Sequence, residues 1–167
     1  MGLQVLIWVV AIPLLGFITG MRSMTPLAVI SWFAWLGLLP VSEDWCWWVA
    51  KLSVAIGFTL LAAIEYAADK LGYSPRPTRP SVLSIRIFLG GFVGAIVAAG
   101  LDASGVEGTL LGVLGAIVGA FCGYELRHQL TRRLGCKTWY VTTSEDIFAV
   151  ACAILCLGII KIGRAHV

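Results

Sequence analysis

The chain has 167 residues, of which 59% are hydrophobic and 13% are charged, and its mean hydropathy is +0.93. This composition lies outside the usual range of soluble globular domains and predicts one helical membrane domain over residues 1–161. The formal net charge of +3 does not indicate nucleic-acid binding, because the basic residues lie in short connections where they set membrane topology.

Six apolar stretches follow one another along the chain, at residues 3–20, 25–39, 47–70, 82–100, 109–127 and 147–160. They predict an all-α bundle of about six transmembrane helices. A span needs about 20 residues, so we expect the short second stretch to be tilted, kinked or only partly inserted. The first stretch lacks the basic region and cleavage site of a secretory signal, and we interpret it as a span.

The connections between these stretches alternate in charge. Acidic residues lie in the even connections, namely Glu43, Asp44, Asp102 and Glu107. Basic residues lie in or beside the odd ones, namely Arg22, Lys70, Arg76, Arg79, Arg86, Arg127, Arg132, Arg133 and Lys137. By the positive-inside rule the odd connections are cytoplasmic and both termini are outside.

A candidate polar site lies at the cytoplasmic ends of the spans. Glu65 and Asp69 share one face of the third span, and at 1.5 Å per residue Glu65 lies roughly 7 Å deeper than Lys70. A carboxylate at that depth is expected to have a partner. The predicted cluster comprises Arg22, Glu65, Asp69, Lys70 and Arg86; Glu125, Arg127, Glu145 and Asp146 border the same region. The alternative is a set of interfacial side chains that only fix helix ends.

Two segments predict helix N-termini near the cytoplasmic ends of the spans. Thr25 before Pro26 is typical of an N-cap, and the free backbone N–H groups there, with Arg22 and Ser23, form a candidate anion-binding site. A plain helix start explains the same residues. Ser144 before two acidic residues also suggests an N-cap.

Glycines at spacings of three or four predict close packing of the fourth and fifth spans. The series comprises Gly90, Gly94, Gly108, Gly112, Gly115, Gly119 and Gly123. The same faces could join copies of the chain into a homo-oligomer, and a conduit lined by backbone is the alternative. The five cysteines lack the spacing of a zinc site or a disulfide framework, so we expect no metal and no cofactor.

The last six residues resemble the translation of a sequencing adapter. We therefore expect residues 162–167 to be a non-native tail and place no site on them.

A weak internal repeat relates the segment from Arg22 to Glu65 to the segment from Arg86 to Glu125. A parallel duplication and an inverted arrangement of three plus three spans both stay open.

Three segments carry a resemblance to a known family. They are residues 20–32, which contain Gly-Met-Arg-Ser-Met-Thr-Pro; residues 65–71, Glu-Tyr-Ala-Ala-Asp-Lys-Leu; and residues 119–124, Gly-Ala-Phe-Cys-Gly-Tyr. The chain resembles, from about residue 14 to 160, the bacterial membrane proteins grouped as domain of unknown function 4126. The resemblance implies a multi-pass protein of the bacterial cytoplasmic membrane and transfers no activity or catalytic residue.

Three classes of function remain. Proton-coupled transport is disfavoured because the middles of the spans hold no ionisable residue. A membrane enzyme acting on lipid head groups is also disfavoured, since no His, Cys or paired-carboxylate constellation is evident. We expect a permease-like or lipid-interacting component with a polar, anion-binding pocket at the cytoplasmic face and membrane lipids as partners. A purely structural assembly subunit is the further alternative.

Overall fold

The computed structural model describes the backbone of residues 2–41, 45–71, 79–134 and 138–165, and the side chains of residues 9–41, 45–71, 79–130 and 140–161. All regular structure in these ranges is helical. The helices are α1 (Gly2–Met21), α2 (Thr25–Trp35), a short 3-10 helix (Trp47–Ala50), α3 (Leu52–Lys70), α4 (Pro80–Ala99), α5 (Gly105–Leu134) and α6 (Thr138–Ala165). The predicted all-α bundle of six helices is confirmed.

Among the residues whose side chains the structure describes, four helical segments are long and apolar enough to cross a membrane by length and composition. They are Leu52–Lys70, Pro80–Ala99, the Gly105–Leu130 part of α5 and the Tyr140–Lys161 part of α6. Val9–Met21 and Thr25–Trp35 are shorter apolar helices. With 11 residues, α2 is about 16 Å long, roughly half the hydrocarbon thickness of a bilayer. The expectation of a short second segment is therefore confirmed.

Several helix ends meet at one end of the bundle, which we call the cluster end. There the C-terminus of α1 meets the start of α2, the end of α3 and the first turns of α4. At the opposite end Leu39, which follows α2, packs on Gly100 at the end of α4. Trp45 and Trp47 are exposed at this opposite end, as expected of an interfacial aromatic belt.

Glycines bring the backbones of α1, α4 and α5 together. Gly94 of α4 lies against Gly108 of α5, and a Cβ at either position would overlap the other's carbonyl oxygen. The predicted close packing of the fourth and fifth spans is confirmed. On another face of α5, a Cβ at Gly119 would overlap the carbonyl oxygen of Phe17 in α1, a contact that the sequence did not indicate. These glycines are covered within the chain, and the association of copies through glycine-rich faces stays a prediction.

Helix α6 packs mainly on α1 and α2 and makes few contacts with α3 and α5. It begins at Thr138, so the prediction of an N-cap at Ser144 is wrong: Ser144 lies inside the helix and its hydroxyl donates to the carbonyl of Val141 over 2.8 Å. The helix extends beyond the apolar stretch because residues 138–146 add a polar, cluster-end segment. Its backbone also continues through Ala165, and the adapter origin of residues 162–167 stays a prediction.

Candidate functional site

The helical conformation is interrupted between α1 and α2 at Arg22, Ser23 and Met24, and we call this interruption the α1–α2 break. The backbone N–H and C=O groups at the two helix ends that meet here have no partners within their own helices. Arg86 of α4 donates to the carbonyls of Gly20 and Met21 at the end of α1, the latter over 3.0 Å. Glu65 of α3 accepts the backbone N–H groups of Ser23 and Met24, each over 3.0 Å. The cation lies at a helix C-terminus and the anion at a helix N-terminus, as the helix dipoles favour.

The N-cap of α2 differs from the one predicted. Thr25 is the first helical residue, Met24 is the N-cap, and Met24 makes no side-chain capping bond. The side chain of Glu65 reaches across from α3 to satisfy the N–H groups that a local cap would satisfy. The prediction that Thr25 caps the helix is therefore wrong, because a tertiary contact replaces the local one.

Arg22 lies at the centre of the cluster and its side chain is only 2% exposed. It forms an ion pair with Asp69 of α3 through Nη1, and its Nε lies 2.6 Å from Oδ1 of Asp146 in α6. Its Nη2 donates to the carbonyl of Thr142 in α6 over 3.4 Å. One guanidinium therefore joins the α1–α2 break to α3 and α6.

Arg127 extends the network to α5. Its Nη2 lies 3.4 Å from Oδ2 of Asp69 and 2.7 Å from Oε2 of Glu145 in α6. Its Nε also donates to Glu145 over 3.2 Å. Asp69 and Glu145 are 6% and 7% exposed, whereas Arg127 is 27% exposed. The cluster is thus buried in the protein at its centre and approaches the surface at Arg127.

Four of the five residues of the predicted cluster, Arg22, Glu65, Asp69 and Arg86, lie around the α1–α2 break. Lys70 lies at the edge, with Nζ 3.9 Å above the ring of Tyr66. Arg127, Glu145 and Asp146 complete the network. In the sequence, only their position at the same helix ends indicated that they belong to it. Glu125 instead accepts a hydrogen bond from Gln129 on its own helix.

Of the predicted anion site, Arg22 and the N–H of Ser23 already have acceptors within the chain. The N–H of Ser23 is bonded to Glu65, and the guanidinium of Arg22 contacts Asp69 and Asp146. An external anion would have to displace a carboxylate from them. Within the part of the chain that the structure describes, no group of three or more His, Cys, Asp or Glu residues is placed to hold a metal ion. The Pro75–Arg79 part of the third connection lies largely outside the described residues.

Two grooves flank α6 near the cluster. The α5–α6 groove has a volume of about 660 Å³ and is bounded by α1, α5 and α6. Its polar lining comes from Glu125, Arg127, Gln129, Ser144 and Glu145, and its apolar lining includes Phe17, Met21, Leu126, Leu130, Val141 and Phe148. The α3–α6 groove, of about 520 Å³, is lined by Tyr66 and by residues of α6 that include Thr143 and Asp146.

Comparison with known proteins identifies the family but no activity. Residues 9–159 match the family described as Domain of unknown function (DUF4126). No curated protein and no solved structure matches the chain. The match covers more than half of the sequence and includes every charged residue of the buried network. The chain is therefore a member of the DUF4126 family, and its apolar helices are those of a membrane protein.

Proposed function

We propose that this protein is a lipid-interacting membrane component that holds one lipid molecule in the α5–α6 groove. The observation that supports this proposal most directly is the groove itself, whose lining combines apolar side chains with a set of polar ones. Its volume of about 660 Å³ falls within the range of about 300 to 1,000 Å³ that is usual for small-molecule sites. An acyl chain suits the apolar wall, and a polar head group suits the end beside Arg127 and Gln129.

In this proposal the charged network has a structural role. Arg22 is buried and its neighbours are carboxylates of the same chain, so it holds helices together and leaves little access for a solute. Through Glu145, Arg127 fixes the spacing between α5 and α6 at the mouth of the groove. This favours a lipid-binding protein with a fixed groove over an enzyme, for which no constellation of nucleophile and base is apparent among the described residues.

The location is part of the same proposal. We place the cluster end on the cytoplasmic side of a bacterial cytoplasmic membrane, since the basic connections adjoin that end and the acidic ones do not. Cysteine placed at Ser104 should react with a membrane-impermeant thiol reagent in intact cells, and cysteine at Gln129 only after permeabilisation. The opposite pattern would reverse the orientation. Native Cys46 is buried and does not serve as the reporter.

A substitution that fills the α5–α6 groove tests lipid binding. Leu126 lines the groove and is 52% exposed, so Leu126→Trp should weaken lipid binding about tenfold or more, a change of about 1.4 kcal/mol. The measurement is the occupancy of bound lipid by native mass spectrometry as lipid is titrated into the detergent-solubilised protein.

Leu110→Trp is the matched control, because Leu110 lies on the same helix, is 59% exposed and does not line the groove. It should keep the lipid affinity of the parent chain. Equal affinities in the parent and in both variants would contradict the proposed site, and so would equal losses in the two variants.

A further inference from the structure

The α3–α6 groove carries a carboxyl group to which the lipid proposal gives no role. Asp146 lines this groove beside Tyr66, Thr143 and an otherwise apolar stretch of α6. Its neighbour Glu145 lines the α5–α6 groove on another side of the same helix. Two adjacent carboxylates of α6 therefore face different surroundings.

The four carboxylates of the network differ in their hydrogen bonds. Both oxygens of Glu65 accept backbone N–H groups. Oδ2 of Asp69 lies between two arginines, and Oε2 of Glu145 accepts two N–H groups of Arg127. Each of these three carboxylates therefore has hydrogen-bond donors directed at it.

Among the described residues, Asp146 lacks comparable hydrogen-bond donors. Its Oδ1 lies 2.6 Å from Arg22 Nε, but that Nε is not aligned to make a hydrogen bond with any described group. Its Oδ2 is inaccessible to solvent and has no hydrogen-bond donor among the described residues. A buried acceptor without a donor is costly, and protonation would turn this oxygen into a donor and remove the charge.

The charges around Asp146 point the same way. Arg22 and Arg127 face the network from the α1–α2 break and from α5, Arg86 from α4, and Glu145 from α6 itself. Helix α3 contributes Glu65, Tyr66, Asp69 and Lys70. Three arginines thus meet four carboxylates, while the ammonium of Lys70 lies over the Tyr66 ring at the edge. Asp146 shares Arg22 with Asp69, and Asp69 also contacts Arg127.

We propose that Asp146 is a proton-binding site that opens into the α3–α6 groove. The neutral acid would leave Arg22 with Asp69 as its carboxylate partner and would leave α6 held by the pair of Glu145 and Arg127. The hydroxyls of Tyr66 and Thr143 line the same groove and are candidate acceptors for the carboxylic O–H. This site is independent of lipid binding in the α5–α6 groove.

An apolar carbodiimide tests this site, because dicyclohexylcarbodiimide enters apolar grooves and adds to protonated carboxyl groups to leave a stable N-acylurea. The purified protein in detergent is treated in mildly acidic and in alkaline buffer, and peptide mass spectrometry locates the adduct. We expect modification at Asp146, more of it in acidic buffer, and little at Glu145 or Asp69. Asp146→Asn should lose the main adduct, and Glu107→Gln, at an exposed carboxylate of α5, should keep it.

The map of the unsubstituted protein decides the outcome even if Asp146→Asn folds poorly. An unmodified Asp146 in acidic buffer would overturn the proposal and assign the orphan oxygen to bound water. Modification that does not change between the two buffers, or that is equal at Glu145 and Asp146, would overturn it as well.

Discussion

Replacing Arg22 by glutamine is expected to lower the free energy of unfolding by about 3 to 5 kcal/mol. The side chain is 2% exposed and contacts both Asp69 and Asp146, so its loss removes the guanidinium that these two carboxyl groups share in a buried site. Reversible unfolding in detergent measures the effect. The exposed Arg79 offers a control, and Arg79→Gln should change stability by under about 0.5 kcal/mol.

A double-mutant cycle separates the ion pair from a general loss of stability. Adding Asp69→Asn to Arg22→Gln removes a stranded charge, so the double variant should lose less than the two single losses combined, with a coupling of about 0.5 to 3 kcal/mol. Additivity within about 0.5 kcal/mol would contradict the ion pair. Glu65 should couple less strongly to Arg22, because its oxygens bind backbone N–H groups.

Replacing Gly119 by leucine should cost about 3 kcal/mol or more, at the upper end of overpacking effects. A Cβ at this position overlaps the carbonyl oxygen of Phe17, and a backbone atom cannot rotate away as a side chain does. Helix α1 would have to move off α5. The same unfolding measurement in detergent reports the loss.

Gly57→Leu is the matched control, since Gly57 lies in α3 and a Cβ there meets nothing within 4 Å. Its effect should stay within about 0.5 kcal/mol, as for other substitutions away from packed features. Equal losses for Gly119→Leu and Gly57→Leu would mean that the close approach of α1 and α5 does not limit stability.

The general organisation of this protein could be predicted from its sequence because it depends on simple periodic features. Runs of apolar residues identified the helices, and glycine spacing identified the contact between α4 and α5. The polar ends of the spans identified Arg22, Glu65, Asp69 and Arg86 as one cluster. Each of these signals depends on where a residue lies along a helix, which the sequence shows directly.

The partners within the cluster required the structure. The sequence predicted that Glu65 has a partner and lies in one cluster with Arg22 and Arg86, yet Glu65 binds the N-terminus of α2 and Arg86 binds the C-terminus of α1. These two interactions use backbone N–H and C=O groups, which nearly every residue carries, so they leave no recognisable pattern in the sequence. The start of α6 was misplaced for a related reason: residues 138–146 continue the helix, and its two carboxylates lie against Arg22 and Arg127 from other parts of the chain.

The packing of α1 on α5 also depends on tertiary arrangement. Gly16 and Gly20 of α1 contact Gly112 and Ala116 of α5, and three other α-helices separate the two in the chain. The glycine series predicted the close packing of α4 on α5 but did not show that α1 also packs on α5. Two partners, α1 and α4, share the one glycine-rich helix, which explains why so many of its glycines are covered within the chain.

The central claim, that the α5–α6 groove holds a lipid, is tested most directly by photocrosslinking. A phospholipid with a photoreactive group in its acyl chain is added to the protein in nanodiscs, and crosslinked peptides are mapped by mass spectrometry. Adducts should concentrate on residues 122–130 and 141–148, be reduced in Leu126→Trp and be retained in Leu110→Trp. Adducts spread evenly over the lipid-facing helices, including the exposed face of α3 at Leu60 and Ile64, would contradict it.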